Sequence, residues 1–371
     1  MSHIAVFEPY YGGSHRAFLD QLTSLPHAFQ VHTLPANRWK WRMRLAAPFW
    51  AGLIRQGQID LHGVETMVCS SFLDLATFRG MLPAVHRQIP TLAYFHENQF
   101  AYPVQEEDPR DVHFALTNLS TALAADALAF NSTYNLESFL AGCQELLARN
   151  DDMELTDYQD TIRMKSRILQ PGVDFVEIDL CAKNRRAPNP TPVIVWNHRW
   201  EHDKDPEFFF NTLYDLKAEG VAFRLIVLGE SFRQSPRIFV EARQVLADRI
   251  IHFGHVPSRA EYLTWLVQAD IVISTARHEF FGLSVLEAVR AGCRPLLPRR
   301  LVYPELFEDE FLYDDHELGE RLRFFLGKGR LPQQQAEELT KRFSWQCLSP
   351  RYDEWLQIRH PGMSQAGMTE R

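Results

Sequence analysis

The feature that most constrains the fold is an alternation of short apolar runs with amphipathic segments, which starts at the amino terminus and later starts again. A run of four to eight apolar residues between turn signals indicates a buried strand, whereas apolar residues spaced three and four apart indicate a helix. The first half of the chain predicts strands from His3 and at 30–34, 65–69, 91–95 and 126–130, with helices near 15–24, 45–56, 72–80, 112–124 and 134–148. Strands that alternate with helices predict a parallel, doubly wound sheet.

The second half repeats the pattern, with strands predicted at 193–196, 223–229, 250–254, 270–275 and 294–298. Between the two halves, residues 183–192 contain three prolines and no periodicity, and proline can neither continue a helix nor donate to a strand ladder. A length of 371 residues is sufficient for two domains. We therefore predict a first domain at 1–182, a linker at 183–192, a second domain at 193–342, a C-terminal helix at 343–360 that packs back on the first domain, and a flexible tail at 361–371.

Composition excludes several classes of protein. With 46% hydrophobic and 23% charged residues the chain can bury a core, but its longest apolar stretches, such as 45–54, are too short and interrupted to span a bilayer. The amino terminus lacks a signal-peptide pattern, so we expect a cytoplasmic protein without a membrane partner. Five cysteines without CxxC spacing predict reduced core thiols. A net charge of −8 argues against general nucleic-acid binding and leaves room for a local basic patch.

Polar loops follow the predicted strands of both halves. In a doubly wound sheet the loops after the strands gather at the carboxyl edge, where ligands bind. The loops that stand out are Tyr10–His15, His96–Tyr102, Asn131–Thr133, Asn197–Lys204 and Arg277–Leu283. We therefore expect the functional residues at these strand ends.

Two carboxylates flank a turn in the segment HEFFGLSVLEAVRAG, at Glu279 and Glu287. On one helix their backbones would be about 12 Å apart, which is too far for a glycosidase pair. The preferred interpretation places a diphosphate on the free amides of Gly282–Ser284, at the positive end of a helix dipole, with both carboxylates accepting hydroxyl groups of a sugar and a ribose. The alternative is that Ser284 and Glu287 form a capping box, and the two roles are compatible.

Two cations, Arg199 and Lys204, lie between a strand and a helix start in WNHRWEHDKDPEFFF. Fixed cations at this position can stabilise the negative charge that builds on a departing nucleoside diphosphate. The alternative is ordinary solvated surface charge. His198 and His202 have a spacing that would allow a metal on a helix, but the capping residue Asp205 starts the helix after both, so we expect no metal.

A basic, aromatic segment interrupts this otherwise acidic chain. Cations can contact phosphates while indole rings stack on unpaired bases, so the segment suits a single-stranded nucleic-acid loop such as an anticodon. The alternative is an amphipathic segment with core tryptophans and solvated cations. The residues are Arg38, Trp39, Lys40, Trp41, Arg42 and Arg44.

The motifs together resemble a known group of enzymes. The spacing of Glu279 and Glu287, preceded by IVIST and by the two cations, resembles the retaining family 4 glycosyltransferases of GT-B fold. In the first half, FEPYYGGSHRAFLDQL, LPANRWKWRMRLAAPFWA and YFHENQFAYP resemble the tRNA-queuosine alpha-mannosyltransferases. The resemblance covers the chain to about residue 358 and implies an α/β protein of GT-B fold, with two Rossmann-like, doubly wound domains facing across a cleft.

The resemblance implies transfer of mannose, with retention, from GDP-mannose to the cyclopentenediol of queuosine in a tRNA anticodon loop, without a cofactor or metal. It places Arg199 and Lys204 on the diphosphate and Glu287 on the ribose. It places Glu279 and the backbone of the FFGL turn on the sugar. The implied donor contacts also include Gly12, Gly13, Phe281, Gly282, Leu283 and Ser284. The implied catalytic residues are His96, Arg199, Lys204 and Glu279.

The same resemblance implies that the acceptor tRNA binds the first domain. The expected contacts are Ser14, His15, His96, Glu97 and Asn98, together with the basic segment. Two other hypotheses stay open: a GT-B enzyme with another nucleotide sugar and a lipid or saccharide acceptor, and a catalytically silent nucleotide-sugar or RNA-binding module. A nicotinamide dehydrogenase is disfavoured because YYGGSH follows the first strand in place of GxGxxG.

Overall fold

Each half of the chain builds its own six-stranded parallel sheet in the computed structural model of the protein, which describes residues 1–101, 111–149, 152–183, 188–230 and 236–357. The chain divides into a first unit of Met1–Gly172 with the chain from Leu348, and a second unit of Val173–Cys347. These two parallel sheets with flanking helices confirm the predicted α/β, doubly wound class.

The first unit has the strand order β2-β1-β3-β4-β5-β6. Its strands are β1 (His3–Tyr11), β2 (Ala28–Pro35), β3 (Thr66–Ser70), β4 (Thr91–Phe95), β5 (Ala127–Phe130) and β6 (Ser166–Ile168). Its helices are α1 (Gly13–Leu22), α2 (Trp39–Arg55), α3 (Leu75–Met81), α4 (Val112–Ala124), α5 (Thr133–Leu147) and α6 (Tyr158–Lys165). The order changes direction beside β1, so the loops after β1, β3 and β4 share one edge of the sheet.

The core of the first unit lies against the central strands. β3, β4 and β5 are buried on both faces, which explains why they read as continuous apolar runs. Phe95 of β4 stacks on Phe130 of β5 at 4.6 Å, and Phe139 of α5 packs edge-on against Phe95. Burying one such phenylalanine contributes about 1.5–3 kcal/mol, so these rings fix the positions of the strand ends.

The second unit has the strand order β12-β11-β10-β7-β8-β9. Its strands are β7 (Val193–Asn197), β8 (Arg224–Leu228), β9 (Ile250–Gly254), β10 (Ile271–Ile273), β11 (Arg294–Pro298) and β12 (Leu312–Tyr313). Its helices are α7 (Val176–Lys183), α8 (Pro206–Ala218), α9 (Ile238–Val245), α10 (Arg259–Gln268), α11 (Leu283–Arg290), α12 (Tyr303–Leu306), α13 (Leu318–Lys328) and α14 (Gln333–Thr340). The order changes direction between β7 and β10, so the loops after these two strands are adjacent.

Helix α8 has the start and stop signals that its sequence predicts. The Asp205 side chain accepts a hydrogen bond from the Phe208 amide at 3.2 Å, and Pro206 is the first helical residue. Beyond the last turn, Gly220 adopts a left-handed φ of 78°. This capping fixes where the preceding loop, which carries Lys204, ends.

The unit boundary lies about ten residues before the predicted end of the first domain. Residues 176–183 form α7, and the side chain of Asp179 in this helix pairs with Arg290 of α11 at 2.6 Å. The predicted linker therefore begins with a helical residue of the second unit. Residues 184–187 of the predicted linker lie outside the described residues.

The carboxyl-terminal helix α15 (Trp345–Leu356) contributes to the first unit from Leu348 onward. The Tyr352 hydroxyl donates to the Gln170 carbonyl at 2.8 Å, and the Trp355 side chain is fully buried. These contacts anchor the helix on the end of the first sheet. The predicted tail at 361–371 lies outside the described residues.

The cysteines differ in burial more than expected. Cys69, Cys143 and Cys293 are buried, whereas Cys181 is half-buried and Cys347 is exposed. The prediction that all five are core thiols is therefore wrong for two of them. No helix within the described ranges is both long and apolar enough to cross a membrane.

Candidate active site

Two loops of the second unit come together at the ends of β7 and β10. The Arg277 amide donates to the Asp203 carbonyl at 2.8 Å, and the Thr275 hydroxyl donates to the Lys204 carbonyl at 2.8 Å. The Lys204 ammonium donates to the His278 carbonyl at 2.7 Å. The cationic segment and the carboxylate segment of the sequence therefore form one site.

Lys204 lies at the centre of this site, with only 8% of its side chain exposed. Its Nζ is 3.1 Å from an oxygen of Asp203 and 3.4 Å from an oxygen of Glu279. Burial alone would lower the pKa of Lys204, but Glu279 and Asp203 outweigh it and raise the pKa. Burial alone would raise the pKa of Glu279, and Lys204 reverses this and lowers the pKa to about 2. Both groups are charged at neutral pH.

Arg199 differs from Lys204 in exposure. Its side chain is 52% exposed and pairs with Glu201 at 3.1 Å. The alternative that both cations are solvated surface charges is therefore wrong for Lys204, which the fold holds in place. An exposed guanidinium keeps the reach to contact an anion that arrives from solvent.

Two buried histidines, His198 and His278, accompany the Lys204–Glu279 pair. Burial and the positive charge of Lys204 lower the pKa of each to about 4. Nε2 of His198 is buried without a hydrogen-bond partner among the described residues. Both rings are neutral at physiological pH, so they add hydrogen-bonding capacity to the site without adding charge. We weighed His198 only as a metal ligand from the sequence, and we missed His278.

The amino terminus of α11 lies beside the ion pair. Gly282 precedes the helix with a left-handed φ of 87°, and no side chain caps the first turn. Ser284 is the second helical residue, so the capping-box alternative for Ser284 and Glu287 is wrong. The first-turn amides of Leu283 and Ser284 have no acceptor within the helix, and Phe281 is buried against Phe343. This amide cluster is suited to an anion.

Glu287 is held by α10. Its carboxylate accepts from the Tyr262 hydroxyl at 3.1 Å and pairs with Arg259 at 2.7 Å. Burial raises the pKa of Glu287, and the charge of Arg259 opposes this shift. Asn197, the last residue of β7, donates to the Ser284 carbonyl at 2.8 Å. The sequence analysis placed Asn197 in a strand-end loop without assigning it a role, and it missed Arg259 and Tyr262.

The two glycines after β1 in the first unit have different roles. A Cβ on Gly12 would lie 2.4 Å from Cβ of Ala36, so Gly12 allows close packing between the first two strand ends. Gly13 has a left-handed φ of 53°, and a Cβ there would meet no atom within 4 Å. Ser14 is exposed. The structure therefore gives Gly12 a packing reason, whereas Gly13 and Ser14 leave their backbone open, and the ligand contacts of all three residues stay predictions.

A second ionisable cluster lies at the ends of β1 and β4. Nδ1 of His15 is 3.2 Å from an oxygen of Glu8, and the rings of His15 and His96 have centroids 4.0 Å apart. Burial would lower the pKa of His15, but Glu8 outweighs it and raises the pKa. Burial and the neighbouring His15 hold the pKa of His96 well below its usual range. We predicted both histidines from the sequence and missed Glu8.

Glu8, His15 and His96 also offer ligand atoms within 4.8 Å of one another, the only such group of metal-ligand types found in the described ranges. The Glu8 oxygen that faces His15 already accepts hydrogen bonds from the Tyr10 amide at 2.8 Å and the Ser70 hydroxyl at 3.1 Å. Protein donors therefore already occupy this oxygen, which fits a histidine-orienting role.

Asn98 is fully buried and serves the loop after β4. Its Oδ1 accepts from the amides of Phe100 and Ala101 at 3.1 and 2.9 Å, and its Nδ2 donates to Oδ1 of Asn135 at 2.9 Å. These bonds use the amide of Asn98 to hold the loop, and the acceptor contact at Asn98 stays a prediction. The neighbouring Glu97 is half-buried, and Tyr102 of the same predicted loop lies outside the described residues.

The basic segment forms the first turns of α2, six residues before the predicted start of this helix. Trp39 packs on Phe114 at 5.1 Å and on Phe72 at 6.3 Å, so a core contact extends the helix toward its amino terminus. Arg42 donates to the Pro35 carbonyl and to the Asn37 side chain. The amphipathic alternative is therefore correct for Trp39, and Arg42 has a structural role.

The other members of the basic segment face outward. Lys40 pairs with Asp111 at 2.6 Å, and the Arg44 guanidinium lies 4.8 Å from the centre of the Phe114 ring. Arg38 precedes the helix in a left-handed conformation with a φ of 49° and is exposed. Trp41 is 61% exposed. These residues form a cationic surface with one open indole.

Solved structures share the two-unit fold of this chain. The chain superposes on sucrose-phosphate synthase from Thermosynechococcus elongatus with a TM-score of 0.69 and 15% identity, covering 95% of this chain and 98% of that one. It superposes on the lipopolysaccharide outer core galactosyltransferase WaaB with a TM-score of 0.64 and 11% identity, covering 95% and 98%. The model of glycosyl transferases group 1 matches residues 180–342, which contain the ion pair and the α11 terminus. The protein is a glycosyltransferase of GT-B fold.

The first unit identifies the family. The model described as tRNA-queuosine alpha-mannosyltransferase N-terminal matches residues 3–173. The tRNA-queuosine alpha-mannosyltransferase of Drosophila melanogaster is 37% identical over 366 residues, which cover 94% of this chain and 95% of that protein. The chain belongs to the tRNA-queuosine alpha-mannosyltransferase family. It is also 25% identical over 135 residues to the GDP-mannose:cellobiosyl-diphosphopolyprenol alpha-mannosyltransferase of Xanthomonas campestris, 35% of this chain and 34% of that one.

Proposed function

We propose that the protein transfers mannose from GDP-mannose to the cyclopentenediol of queuosine in tRNA, with retention at the sugar carbon and without a metal. The acceptor follows from the name of the Drosophila relative, which matches along almost the whole chain. The structural observation that carries the chemistry is the buried Lys204–Glu279 pair beside the uncapped amino terminus of α11.

The donor side of this proposal rests on fixed positive charge. Departure of GDP builds negative charge on its diphosphate, and a cation that the fold already holds stabilises this charge without reorganising. Lys204 supplies such a charge, the first-turn amides of Leu283 and Ser284 supply donors, and the exposed Arg199 supplies a second cation. We propose that these groups make a divalent metal dispensable.

The sugar and ribose require acceptors that stay ionised. The pKa of about 2 keeps Glu279 anionic at neutral pH, so its carboxylate can accept from a sugar hydroxyl. The carboxylate oxygens of Glu287 can take additional hydroxyl donors alongside Arg259 and Tyr262. Neutral His198 and His278 can hydrogen-bond the hexose without competing for the phosphate.

The buried cluster of Glu8, His15 and His96, which we assign to the acceptor, contains no lysine or arginine among the described residues. His15 is drawn toward its protonated form by Glu8, whereas His96 stays neutral. A neutral imidazole can either donate to or accept from a hydroxyl, which suits an uncharged diol. We propose that His96 contacts the reacting groups and that Glu8 and His15 hold it.

The test is incubation of the pure protein with GDP-mannose and tRNA that contains or lacks queuosine, followed by mass spectrometry of the digested nucleosides. A hexose mass on queuosine alone is the expected result, and it should persist in EDTA. UDP-glucose and GDP-glucose serve as donor controls. Absence of the hexose on both tRNAs contradicts the acceptor, and loss of transfer in EDTA that added Mg²⁺ restores contradicts the metal-free proposal.

A further inference from the structure

Helix α2 exposes three large apolar side chains on one face. Trp41, Leu45 and Phe49 follow one another at intervals of four residues, which places them on the same side of the helix. They are 61%, 51% and 50% exposed. We call these three residues the α2 ridge.

The opposite face of the same helix is already occupied. Met43, Ala47, Trp50 and Ile54 are buried and pack in the core of the first unit. A helix on the surface of a soluble protein ordinarily presents polar side chains outward. A row of exposed apolar side chains that the core does not need marks an interaction surface.

The charges that helix α2 itself carries are all positive, and one of them, Lys40, pairs with Asp111. Residues 36–59 contain no aspartate or glutamate, although the whole chain has a net charge of −8. Arg44 lies one turn after Trp41, and Arg38 lies one residue before the helix begins; both are exposed. The surface therefore combines an open indole, an apolar strip and two cations, and a partner that fits it must offer flat rings and negative charge.

We propose that the α2 ridge with Arg38 and Arg44 is a stacking platform for unpaired bases of the acceptor RNA. Trp41 stacks on a base, Leu45 and Phe49 extend the apolar surface beneath its neighbours, and the two guanidinium groups contact the phosphates between them. Every base has a flat π-face and every linkage has a negative charge, so single-stranded RNA matches both features. This inference rests on the proposed tRNA acceptor and deepens it.

The platform assigns different roles to two tryptophans that are only two residues apart. Trp39 packs on Phe72 and Phe114 and supports the fold, whereas Trp41 faces outward and supports binding. Trp41→Ala therefore changes RNA affinity and leaves stability unchanged. Trp39→Ala lowers stability.

The experiment measures tRNA binding and steady-state transfer for the wild type, Trp41→Ala, Trp41→Phe and a matched control, Phe324→Ala. Phe324 is a 55% exposed ring on α13 of the second unit. We expect Trp41→Ala to raise both the Kd and the KM for tRNA by about 5- to 150-fold, as loss of one base stack does. We expect kcat and the KM for GDP-mannose to stay unchanged, Trp41→Phe to restore most of the affinity, and Phe324→Ala to match the wild type.

The salt dependence of tRNA binding tests the roles of Arg38 and Arg44 independently. Replacing Arg38 and Arg44 together by glutamine should reduce the slope of log Kd against log salt by about 1.4, since each contact to a single strand contributes about 0.7. An unchanged slope overturns the phosphate contacts.

Other outcomes separate this inference from the proposed function. Transfer to tRNA with an unchanged Kd and KM in Trp41→Ala overturns the platform and leaves the proposed function standing. A concentration-dependent oligomer that Trp41→Ala dissociates, with tRNA affinity unaffected, makes the ridge an interface between copies of the chain and also overturns it. If the wild type neither binds nor modifies tRNA, the proposed function fails and the platform fails with it.

Discussion

Each unit carries a buried ionisable cluster at the ends of its central strands, and these two clusters differ in charge. The cluster of the second unit contains Lys204, whose ammonium faces Glu279 and Asp203. The cluster of the first unit contains Glu8 with His15 and has no lysine or arginine within contact distance in the described ranges. The same architecture therefore presents a fixed cation in one unit and hydrogen-bonding imidazoles in the other. A diphosphate suits the first arrangement, and an uncharged diol suits the second.

The two clusters also shift the pKa values of their histidines in different ways. In the second unit, burial and Lys204 lower the pKa of both His198 and His278 to about 4. In the first unit, Glu8 raises the pKa of His15 while burial lowers that of His96. A lysine beside buried histidines suppresses protonation of both, whereas a carboxylate allows one of them to become charged.

The largest loss of stability and activity should appear when the ion pair of Lys204 and Glu279 is broken. Lys204→Ala leaves the Glu279 charge buried without its partner, and we expect this to cost about 3–5 kcal/mol of stability. Turnover should fall by about 10²- to 10³-fold, as on loss of one fixed donor to a developing anion. Chemical unfolding and initial rates measure the two effects.

Two companion variants test this explanation. Lys204→Met with Glu279→Gln should regain part of the stability but not the activity, because the Glu279 charge is gone together with the cation while Asp203 still loses its partner. Arg199→Gln should lower turnover and change stability by less than about 0.5 kcal/mol, since its side chain is half-exposed. Equal destabilisation by Arg199→Gln and Lys204→Ala would refute the distinction between the two cations.

A glycine in each unit tests how tightly the cluster loops are packed. A Cβ on Gly229 would lie 1.8 Å from the His198 carbonyl oxygen, and its φ is 139°. We expect Gly229→Ala to cost about 2–4 kcal/mol, because the backbone of the second cluster must move. Gly13→Ala should cost only about 1–2 kcal/mol, the intrinsic cost of a left-handed conformation, because its Cβ would meet no atom within 4 Å. Thermal unfolding ranks the two variants, and the reverse order would contradict the packing.

The pH dependence of stability should separate the two histidine pairs. In the unfolded chain, His198 and His278 bind protons as the pH falls below their ordinary pKa of 6.5. In the folded protein the same two histidines stay neutral down to about pH 4. Each therefore lowers the free energy of unfolding by roughly 1.4 kcal/mol per pH unit as the pH falls from 6.5 to 4. His15 affects stability in the opposite direction, because its pKa is raised in the folded protein. The stability that it adds is fully present below pH 6.5 and is lost as the pH rises through the pKa of the folded protein.

Urea unfolding at several pH values measures these slopes. Replacing His198 and His278 by glutamine should make stability fall less steeply as the pH is lowered. His15→Gln should make stability fall more steeply over the same pH range. His96→Gln serves as a control within the first unit, since its lowered pKa gives it the sign of the second-unit pair. If His15→Gln and His278→Gln changed the pH slope of stability in the same direction, the contrast between the two histidine clusters would be disproved.

The smallest expected changes in stability come from two serines near the starts of helices. Ser132 caps α5 in the first unit by accepting from the Asn135 amide at 3.0 Å, so Ser132→Ala should cost about 1 kcal/mol. Ser284 does not cap α11, so Ser284→Ala should change stability by less than about 0.5 kcal/mol. A cost of about 1 kcal/mol for Ser284→Ala would restore the capping-box interpretation. Thermal melts are sensitive enough for this comparison.

Local patterns predicted most of the elements. The bounds of β4 and α4 agree with the prediction, and those of β3 and α5 differ by one residue. The helix α2 starts six residues early because Trp39 finds a core contact with Phe72 and Phe114, and no periodicity in the preceding polar segment reveals such a contact. Motif spacing identified Lys204 and Glu279, but not their contact, which two separate loops create.

The sequence by itself determined the fold class, the family and most of the charged residues of the candidate active site, since hydrophobic period and motif spacing are local properties of the chain. The tertiary structure decided which of these residues are buried, paired or exposed. Asn98 and Asn135 meet across 37 residues, and Lys204 and Glu279 meet across 75. Burial and charge pairing depend on contacts between distant segments, and only those contacts made Lys204 a fixed cation and left Trp41 open to solvent.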